Sequence, residues 1–329
     1  MLRYLSALIL VLIISLTMAA SLYGKPINSS DSTRKEFIIT PNQTLDTIAN
    51  NLSRAGLIRS RTVFKVNVFR YDLAKKIQAG YFNLCPCQNT AEIAQNLTKA
   101  SVRQVWVTLP EGLRREEIAN LILDKLATSG MPHHFDPEEF IRLTSKLEGH
   151  LFPDTYALGP NVTTVDVVSK LTSQFAQVMA GLNISPDKQN RIVILASIVE
   201  REAGADSERA EVAGIITNRI DKKWPLQVDA TVQYAISSAR CRIRICDWWP
   251  KSLTKADLAI DSLYNTYKNT SLPPAPIDNP GKASLQAAAK PNVTKNWFYL
   301  HDSSGLIHYA ATIEKHNKNI CTYLNRSCP

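Results

Sequence analysis

The sequence of 329 residues lacks the motifs of several large enzyme and binding classes. It has no His-Glu-x-x-His pair, no glycine-rich phosphate loop and no cysteine spacing typical of a zinc ribbon or finger. It also has no recognised nucleic-acid motif, although its net charge of +9 would suit an anionic membrane surface, an acidic polymer or only a soluble basic surface. These absences predict a protein without a metal, an organic cofactor or a nucleic-acid partner.

Charge is also absent between Arg3 and Lys25, where residues 4–23 form a mostly apolar run of 20 residues. A helix of that length spans a hydrocarbon core of roughly 30 Å. The run exceeds the roughly 7–15 apolar residues of a signal peptide, which favours a retained transmembrane anchor over residues 1–25. A cleaved signal peptide is the alternative, because Ala19 and Ala20 are small enough for a processing site.

The six cysteines are even in number, which behind an export signal favours an oxidising, extracytoplasmic compartment. The pairs Cys241/Cys246 and Cys321/Cys328 could each close a short loop. Cys85 and Cys87 would form a strained ring, so we expect them to bond elsewhere or stay reduced.

Hydrophobic periodicity predicts an α+β protein with several regions. A polar linker at 26–35 precedes a small strand–helix module at 36–102 and a second strand–helix module or connector at 103–145. Residues 146–329 are predicted to be mainly helical, with helices at 163–182, 186–204 and 207–222 and a small C-terminal α/β portion.

The helix predicted at 186–204 ends in "VILASIVERE", in which two glutamates follow a nearly unbroken apolar run. Glu200 falls on an apolar face and Glu202 on the opposite side. Apolar surroundings would raise the pKa of Glu200 and make it a proton donor near neutral pH. The alternative is that both glutamates lie at the solvated end of the helix.

The next helix places Arg219 on its apolar stripe, where a buried arginine needs a partner such as a carboxylate of the neighbouring helix. Asn218, Gln227 and Asp229 lie close to it in sequence. Hydrogen-bonding groups beside an apolar wall suit a carbohydrate site better than a phosphate site.

Several motifs occur together in a recognisable order: "VTLPEGL", "LEGHLFPDTYAL", "LASIVEREA", "LQVDATVQYAI", "LYNTYKNTSLPPAPIDNPG" and "YAATIEKHNK". With them the chain resembles the YceG-like endolytic murein transglycosylases over roughly residues 36–325. Residues 36–102 then resemble the LysM-like module of that family, and residues 146–329 its catalytic domain.

The resemblance implies an enzyme anchored in the cytoplasmic membrane by a single helix, with its catalytic domain outside the cell membrane. Its substrate would be peptidoglycan glycan strands, cut between N-acetylmuramic acid and N-acetylglucosamine with formation of a 1,6-anhydro end. The family motif assigns the general acid and base to Glu200. Partners among the cell-wall synthesis enzymes are a further implication.

A second group of residues is predicted to contact the substrate or support the acid. Glu202 would act as a partner of Arg219 or behind the catalytic group, and the other substrate-binding candidates are Glu148, Asp154, Tyr156, Asn218, Arg219, Gln227, Asp229, Asn265, Thr266 and Tyr267. For "FPDTY" and "YNTY" the alternative is domain packing and turn formation.

Two other functions stay open at this stage. A glycan-binding or division scaffold without turnover is one, since the chain departs from the family pattern at Leu263 and Ala275. A hydrolase that pairs Glu200 with Asp229 or Glu148 is the other. The insert "RCRIRICDWWPK" at 240–251 is either a disulfide-closed loop, which we favour, or an added glycan-binding lip.

Overall fold

The computed structural model describes residues 23–100, 104–241 and 246–324, and the chain divides into two compact units, 1–103 and 104–329. The fold is α+β, with mostly helical content and three small sheets. The predicted membrane anchor at 1–25 lies almost entirely outside the described residues. Within the described residues, no helix is long and apolar enough to cross a membrane.

The first unit is built on one two-stranded sheet and three helices. Strands β1 and β2 pair antiparallel, with Phe37 opposite Phe82. Their buried faces and the helices enclose a core that includes Leu52 and Phe64, both 0% exposed. The elements in chain order are β1 (Lys35–Ile39), α1 (Leu45–Arg54), α2 (Arg61–Arg70), β2 (Gly80–Leu84) and α3 (Thr90–Asn96).

The residues that begin the predicted linker are held against this unit. Arg59 donates hydrogen bonds to the carbonyl oxygens of Pro26 (3.0 and 2.8 Å) and Ile27 (2.7 Å). The Asn28 N–H donates to the Pro86 carbonyl at 3.1 Å. The start of the 26–35 segment is therefore docked and is not a free spacer, which the polar composition alone did not indicate.

The second unit begins with a sheet that joins distant parts of the chain. Strand β3 pairs antiparallel with β4, and Val107 lies opposite Tyr156. These strands fall on either side of the predicted boundary at 145/146, so the segments on both sides of it share one sheet and one apolar core. The elements here are β3 (Val105–Thr108), α4 (Arg115–Ser129), α5 (Pro137–Leu143), β4 (Thr155–Leu158) and α6 (Thr164–Gly181).

The rest of the second unit surrounds one central helix, α7 (Pro186–Glu202), whose residues 193–199 are all buried. Its buried Ser197 is satisfied because its hydroxyl donates to the Ile194 carbonyl and accepts from the Ile277 N–H. The remaining elements are α8 (Asp206–Asp221), α9 (Asp229–Arg240), α10 (Lys255–Leu258), α11 (Lys282–Ala289), β5 (Phe298–His301), β6 (Ile307–Ala310) and α12 (Ile313–Leu324).

Two disulfides lie wholly within the described residues, Cys85–Cys87 and Cys241–Cys246. The second confirms the predicted short loop. The expectation for the first pair was wrong: the turn after β2 brings the two Cα atoms to 5.0 Å, which is within the usual range for a disulfide.

Helices α8 and α11 and the chain that follows α11 meet closely at Gly214. A Cβ atom there would lie 2.3 Å from the Asn292 carbonyl oxygen, a backbone atom that cannot rotate away. Gly181, also helical, has nothing within 4 Å of such a Cβ.

Gly214→Ala is therefore expected to destabilise the protein by roughly 1–3 kcal/mol, because it overpacks a rigid contact. Gly181→Ala is the matched control and should be neutral or stabilising by up to about 1 kcal/mol, since alanine is the better helix former. Urea denaturation of both variants measures the difference. Equal stabilities would show that the Gly214 contact can relax.

Candidate active site

The two glutamates at the end of α7 point to different sides of the helix. At roughly 100° per residue, positions 200 and 202 are about 200° apart. The helix ends at Glu202 because Ala203 takes an extended conformation (φ −90°, ψ 130°). Each carboxylate therefore has its own surroundings.

Glu200 is buried but is not in apolar surroundings, and in this respect the sequence interpretation was wrong. Its Oε1 accepts from Arg209 Nη1 at 3.0 Å, and its Oε2 accepts from the Gly281 N–H at 2.9 Å. The two side chains of the ion pair are 7% and 10% exposed. A guanidinium and the N-terminal end of α11 therefore contact this carboxylate, one on each oxygen.

The guanidinium of Arg209 is shared among several groups. It donates to Asp206 Oδ1 at 2.9 Å and to Ser284 Oγ at 2.5 Å, and Glu111 Oε2 lies 3.7 Å away. A Cβ at Gly281 would overlap the Glu111 carboxylate, so the Glu111 side chain lies directly against the start of α11. Helices α7, α8 and α11 are joined here by one buried charge cluster.

Glu202 faces a different feature, a cavity of about 410 Å³. Its Oε2 accepts from the Tyr299 hydroxyl at 2.7 Å. Burial raises the pKa of Glu202, and the nearby Asp229 carboxylate raises it further, whereas the Tyr299 hydrogen bond lowers it.

Four other predicted site residues line the same cavity: Arg219, Gln227, Asp229 and Tyr267. The Tyr267 hydroxyl donates to Asp229 Oδ1 at 2.5 Å. Gln227 has a positive φ of 56° and its N–H donates to the Thr266 carbonyl at 3.1 Å, which fixes this wall of the cavity.

Arg219 is bound to carbonyl oxygens and not to the predicted carboxylate. Its Nε and Nη2 donate to the Trp297 carbonyl at 2.9 and 2.7 Å, and its Nη1 donates to the Leu226 carbonyl at 2.7 Å. It therefore ties the start of β5 to the loop before α9. Arg209 takes the role of carboxylate partner that the sequence pattern suggested for Arg219.

The cavity has further lining residues that sequence reasoning did not select, namely Phe298, Tyr299, Ile313 and His316. Phe298 and His316 stack with their ring centroids 5.0 Å apart. Burial lowers the pKa of His316, and the Arg219 charge lowers it further, so the neutral ring is favoured. The C-terminal motif "YAATIEKHNK" contains Ile313 and His316, whereas Phe298 and Tyr299 lie outside every motif quoted above. All four lie about a hundred positions from Glu202.

The remaining predicted site residues have structural roles within the described residues. Asn265 is fully buried and donates to the Leu258 and Ile260 carbonyls, as expected of a turn. Equivalent structural contacts hold Asp154 (from Gln174), Tyr156 (to the Phe152 carbonyl), Asn218 (to the Thr294 carbonyl) and Thr266 (from the Val228 N–H).

Glu148 belongs to a buried group of acids behind Glu200. Its Oε1 accepts from the Arg115 N–H at 3.1 Å and from Asn279 Nδ2 at 2.8 Å, and burial raises its pKa to about 8. Asp278 is 0% exposed, has no hydrogen-bond partner among the described residues, and has its pKa raised well above the usual range by burial and by Glu200. Both side chains are favoured in the protonated form.

The 240–251 insert packs on the second unit through its tryptophans. Trp248 is 7% exposed, and the guanidinium of Arg114 lies over its ring at 4.5 Å. Arg201 lies 3.9 Å over the ring of Trp249. The disulfide and these contacts support the closed-loop interpretation.

No group of three or more His, Cys, Asp or Glu side chains among the described residues could hold a metal ion. The cavity presents the carboxyls of Glu202 and Asp229, two tyrosine hydroxyls and an aromatic wall. This combination suits proton transfer to a sugar.

Residues 37–322 match the model of the YceG-like family. The chain belongs to this family. It is 32% identical to the endolytic murein transglycosylase of Bacillus subtilis over 91% of this chain and 88% of that relative. It is 24% identical to the endolytic murein transglycosylase of Streptococcus pneumoniae D39 over 90% of this chain, which spans 60% of that longer relative.

A YceG-like protein of Listeria monocytogenes has been solved as a crystal structure and has a similar fold. The TM-score is 0.53 at 26% sequence identity, and the match covers 87% of this chain and 98% of that one. The resemblance seen in the motifs of this YceG-like protein is thus confirmed at the level of family and fold.

The contacts of the two glutamates predict effects of different size on stability. Glu200→Gln removes the charge opposite Arg209 and should cost about 2 kcal/mol of unfolding free energy. Glu202→Gln should be within about 0.5 kcal/mol of the wild type, because Glu202 has no ion pair among the described residues and glutamine keeps an oxygen that accepts from Tyr299. Urea denaturation at neutral pH measures both, and a larger loss for Glu202→Gln would contradict this assignment.

Proposed function

We propose that this YceG-like protein is an endolytic murein transglycosylase that binds a peptidoglycan strand in the cavity beside Glu202. The observation that carries the proposal is the cavity itself. It brings together Glu202, Asp229 and the aromatic side chains of Tyr267 and Phe298 in one site of about 410 Å³. The names of the family relatives support the choice of substrate.

Glu202 is the proposed proton donor. Its raised pKa favours the protonated form, and it gives its proton to the glycosidic oxygen as the bond between that oxygen and the anomeric carbon breaks. The C6 hydroxyl of the same muramic acid attacks the anomeric carbon. Glu202 then takes the proton of that hydroxyl, so the product ends in a 1,6-anhydro ring and no water is consumed.

One acid suffices in this scheme because the nucleophile belongs to the substrate. An intramolecular hydroxyl in the right orientation has a large proximity advantage over a bound water. Asp229 does not need to become a nucleophile. Its carboxylate, held by the Tyr267 hydroxyl, faces the same cavity and can stabilise the positive charge that develops at the anomeric carbon.

The family motif assigns the acid to Glu200, and its contacts favour Glu202 instead. Glu200 is engaged on both oxygens, by Arg209 and by the Gly281 N–H, whereas Glu202 faces the cavity. We therefore assign Glu200 to holding helix α7 in place.

We also propose that the protein is anchored in the cytoplasmic membrane by residues 4–23, with its catalytic unit outside. The apolar run of 20 residues supports the anchor, and the disulfides Cys85–Cys87 and Cys241–Cys246 support an oxidising compartment. That compartment is where glycan strands and the enzymes of cell-wall synthesis would be encountered.

A hydrolase is the second candidate, and one observation favours it. Glu202 and Asp229 line the same cavity, as the two carboxyls of most glycosidases do. In this case Asp229 would act as base or nucleophile and the product would carry a reducing end. A scaffold that binds glycan without turnover would give no product.

The products of uncrosslinked glycan strands distinguish these functions. Mass spectrometry after incubation with the wild-type protein should find 1,6-anhydro-muramic ends, and Glu202→Gln should lower their rate of formation by roughly 10²–10⁴. Glu200→Gln, compared at a temperature at which it stays folded, should keep much more activity. Reducing ends together with complete loss in Asp229→Asn would establish the hydrolase, and intact bound strands would establish the scaffold.

The hydrogen bond from Tyr299 gives a second prediction. Because this bond lowers the pKa of Glu202, Tyr299→Phe should raise that pKa. The acid must be protonated, so activity falls as pH rises through its pKa, and the alkaline limb of the kcat/KM profile should move to higher pH in the variant. An unchanged alkaline limb, with the same variant folded, would show that Glu202 is not the group that titrates.

A further inference from the structure

Helix α2 carries apolar side chains on two sides, but only one side is covered. Phe64 and Val68 are fully buried in the first unit, whereas Val66 and Phe69 are 49% and 68% exposed. Tyr71, just after the helix, is 42% exposed. A helix at the surface of a soluble domain usually has one apolar stripe, so the α2 outer face (Val66, Phe69 and Tyr71) is not explained by the core of this unit.

The surroundings of the α2 outer face are basic. Lysines and arginines outnumber aspartates and glutamates by eleven to five between residues 24 and 100, so this segment holds most of the net positive charge of the chain. Arg61, Arg70, Lys75 and Lys76 are exposed on α2 or directly after it. Aromatic and apolar side chains flanked by lysine and arginine are typical of surfaces that bind anionic lipid headgroups.

The chain that precedes the first unit is fixed close to this helix. The Arg59 side chain holds the carbonyl oxygens of Pro26 and Ile27, and the next residue, Ser60, is the N-cap of α2. The Thr90 N–H donates to the Gly24 carbonyl at 2.9 Å. Pro26 and Ile27, two and three residues beyond Gly24, therefore lie within the reach of one arginine side chain from the start of α2.

We propose that the α2 outer face rests on the outer surface of the cytoplasmic membrane. Phe69 and Tyr71 would enter the headgroup region, and the flanking basic side chains would contact the phosphates of anionic lipids. This inference rests on the membrane anchoring proposed above. Residues 24–28 are bound to the first unit and leave no free spacer after the apolar run. The proposed anchor therefore holds this unit at the membrane, which makes the membrane the partner we propose for this face.

Site-specific photo-crosslinking in the full-length protein tests the contact. The protein is placed in vesicles of phosphatidylethanolamine and phosphatidylglycerol with p-benzoylphenylalanine in place of Phe69, an aromatic exchange at an exposed site. Irradiation should give a lipid adduct, detected by mass spectrometry, several-fold more abundant than from the same crosslinker at the exposed control positions Thr47 on α1 and Gln95 on α3. The paired change Arg70→Gln and Lys75→Gln should lower the yield at position 69.

Three results would overturn the inference, and each is distinguishable from failure of the anchor. Equal yields at the three positions, no adduct at 69, or an adduct at 69 to a second copy of the protein would each exclude a lipid contact at this face. Carbonate extraction is measured on the same vesicles. Release of the protein by carbonate would overturn the anchoring itself, whereas retention without a lipid adduct at 69 would overturn only the contact.

Discussion

The buried ion pair between Glu200 and Arg209 is the interaction on which the catalytic unit depends. A carboxylate taken out of water is costly unless a charge and further hydrogen bonds compensate it. Here Arg209 supplies the charge and the Gly281 N–H supplies the second bond, so the end of α7 is fixed to α8 and to the first residue before α11. The opposite side of α7 is then held in a set position, and the cavity forms there.

The spacing of the two glutamates explains how one helix end carries both the buried ion pair and a carboxyl that lines the cavity. Two residues of separation place their side chains on opposite sides, so their environments differ although their sequence positions nearly coincide. Glu200 meets a guanidinium and a helix N-terminus. Glu202 meets a cavity that Asp229 also lines, and burial followed by the Asp229 charge raises its pKa. The chemistry is decided by these surroundings and not by residue type.

The sequence was informative wherever the pattern is local. The predicted helices at 163–182 and 207–222 agree with α6 and α8 within a residue or two, because periodicity and caps are local signals. Residues that share the cavity across long separations were harder to find. Tyr299 and His316 come from a strand and a helix whose placement depends on tertiary packing. The pairing with a carboxylate of the neighbouring helix that was predicted for Arg219 is made by Arg209 instead, because periodicity cannot show which neighbour an arginine reaches.

Arg219 shows how contacts between distant chain segments shape the cavity. Three of its donors are already bound to the carbonyl oxygens of Trp297 and Leu226, so its main contribution is to position two chain segments. One segment leads into β5 and carries Tyr299, and the other leads into α9 and carries Gln227 and Asp229. Because both segments border Glu202, the arginine that joins them sets the width of the cavity. The end of α7 that carries the proposed proton donor is therefore positioned by two arginines of α8, Arg209 on the Glu200 side and Arg219 on the cavity side.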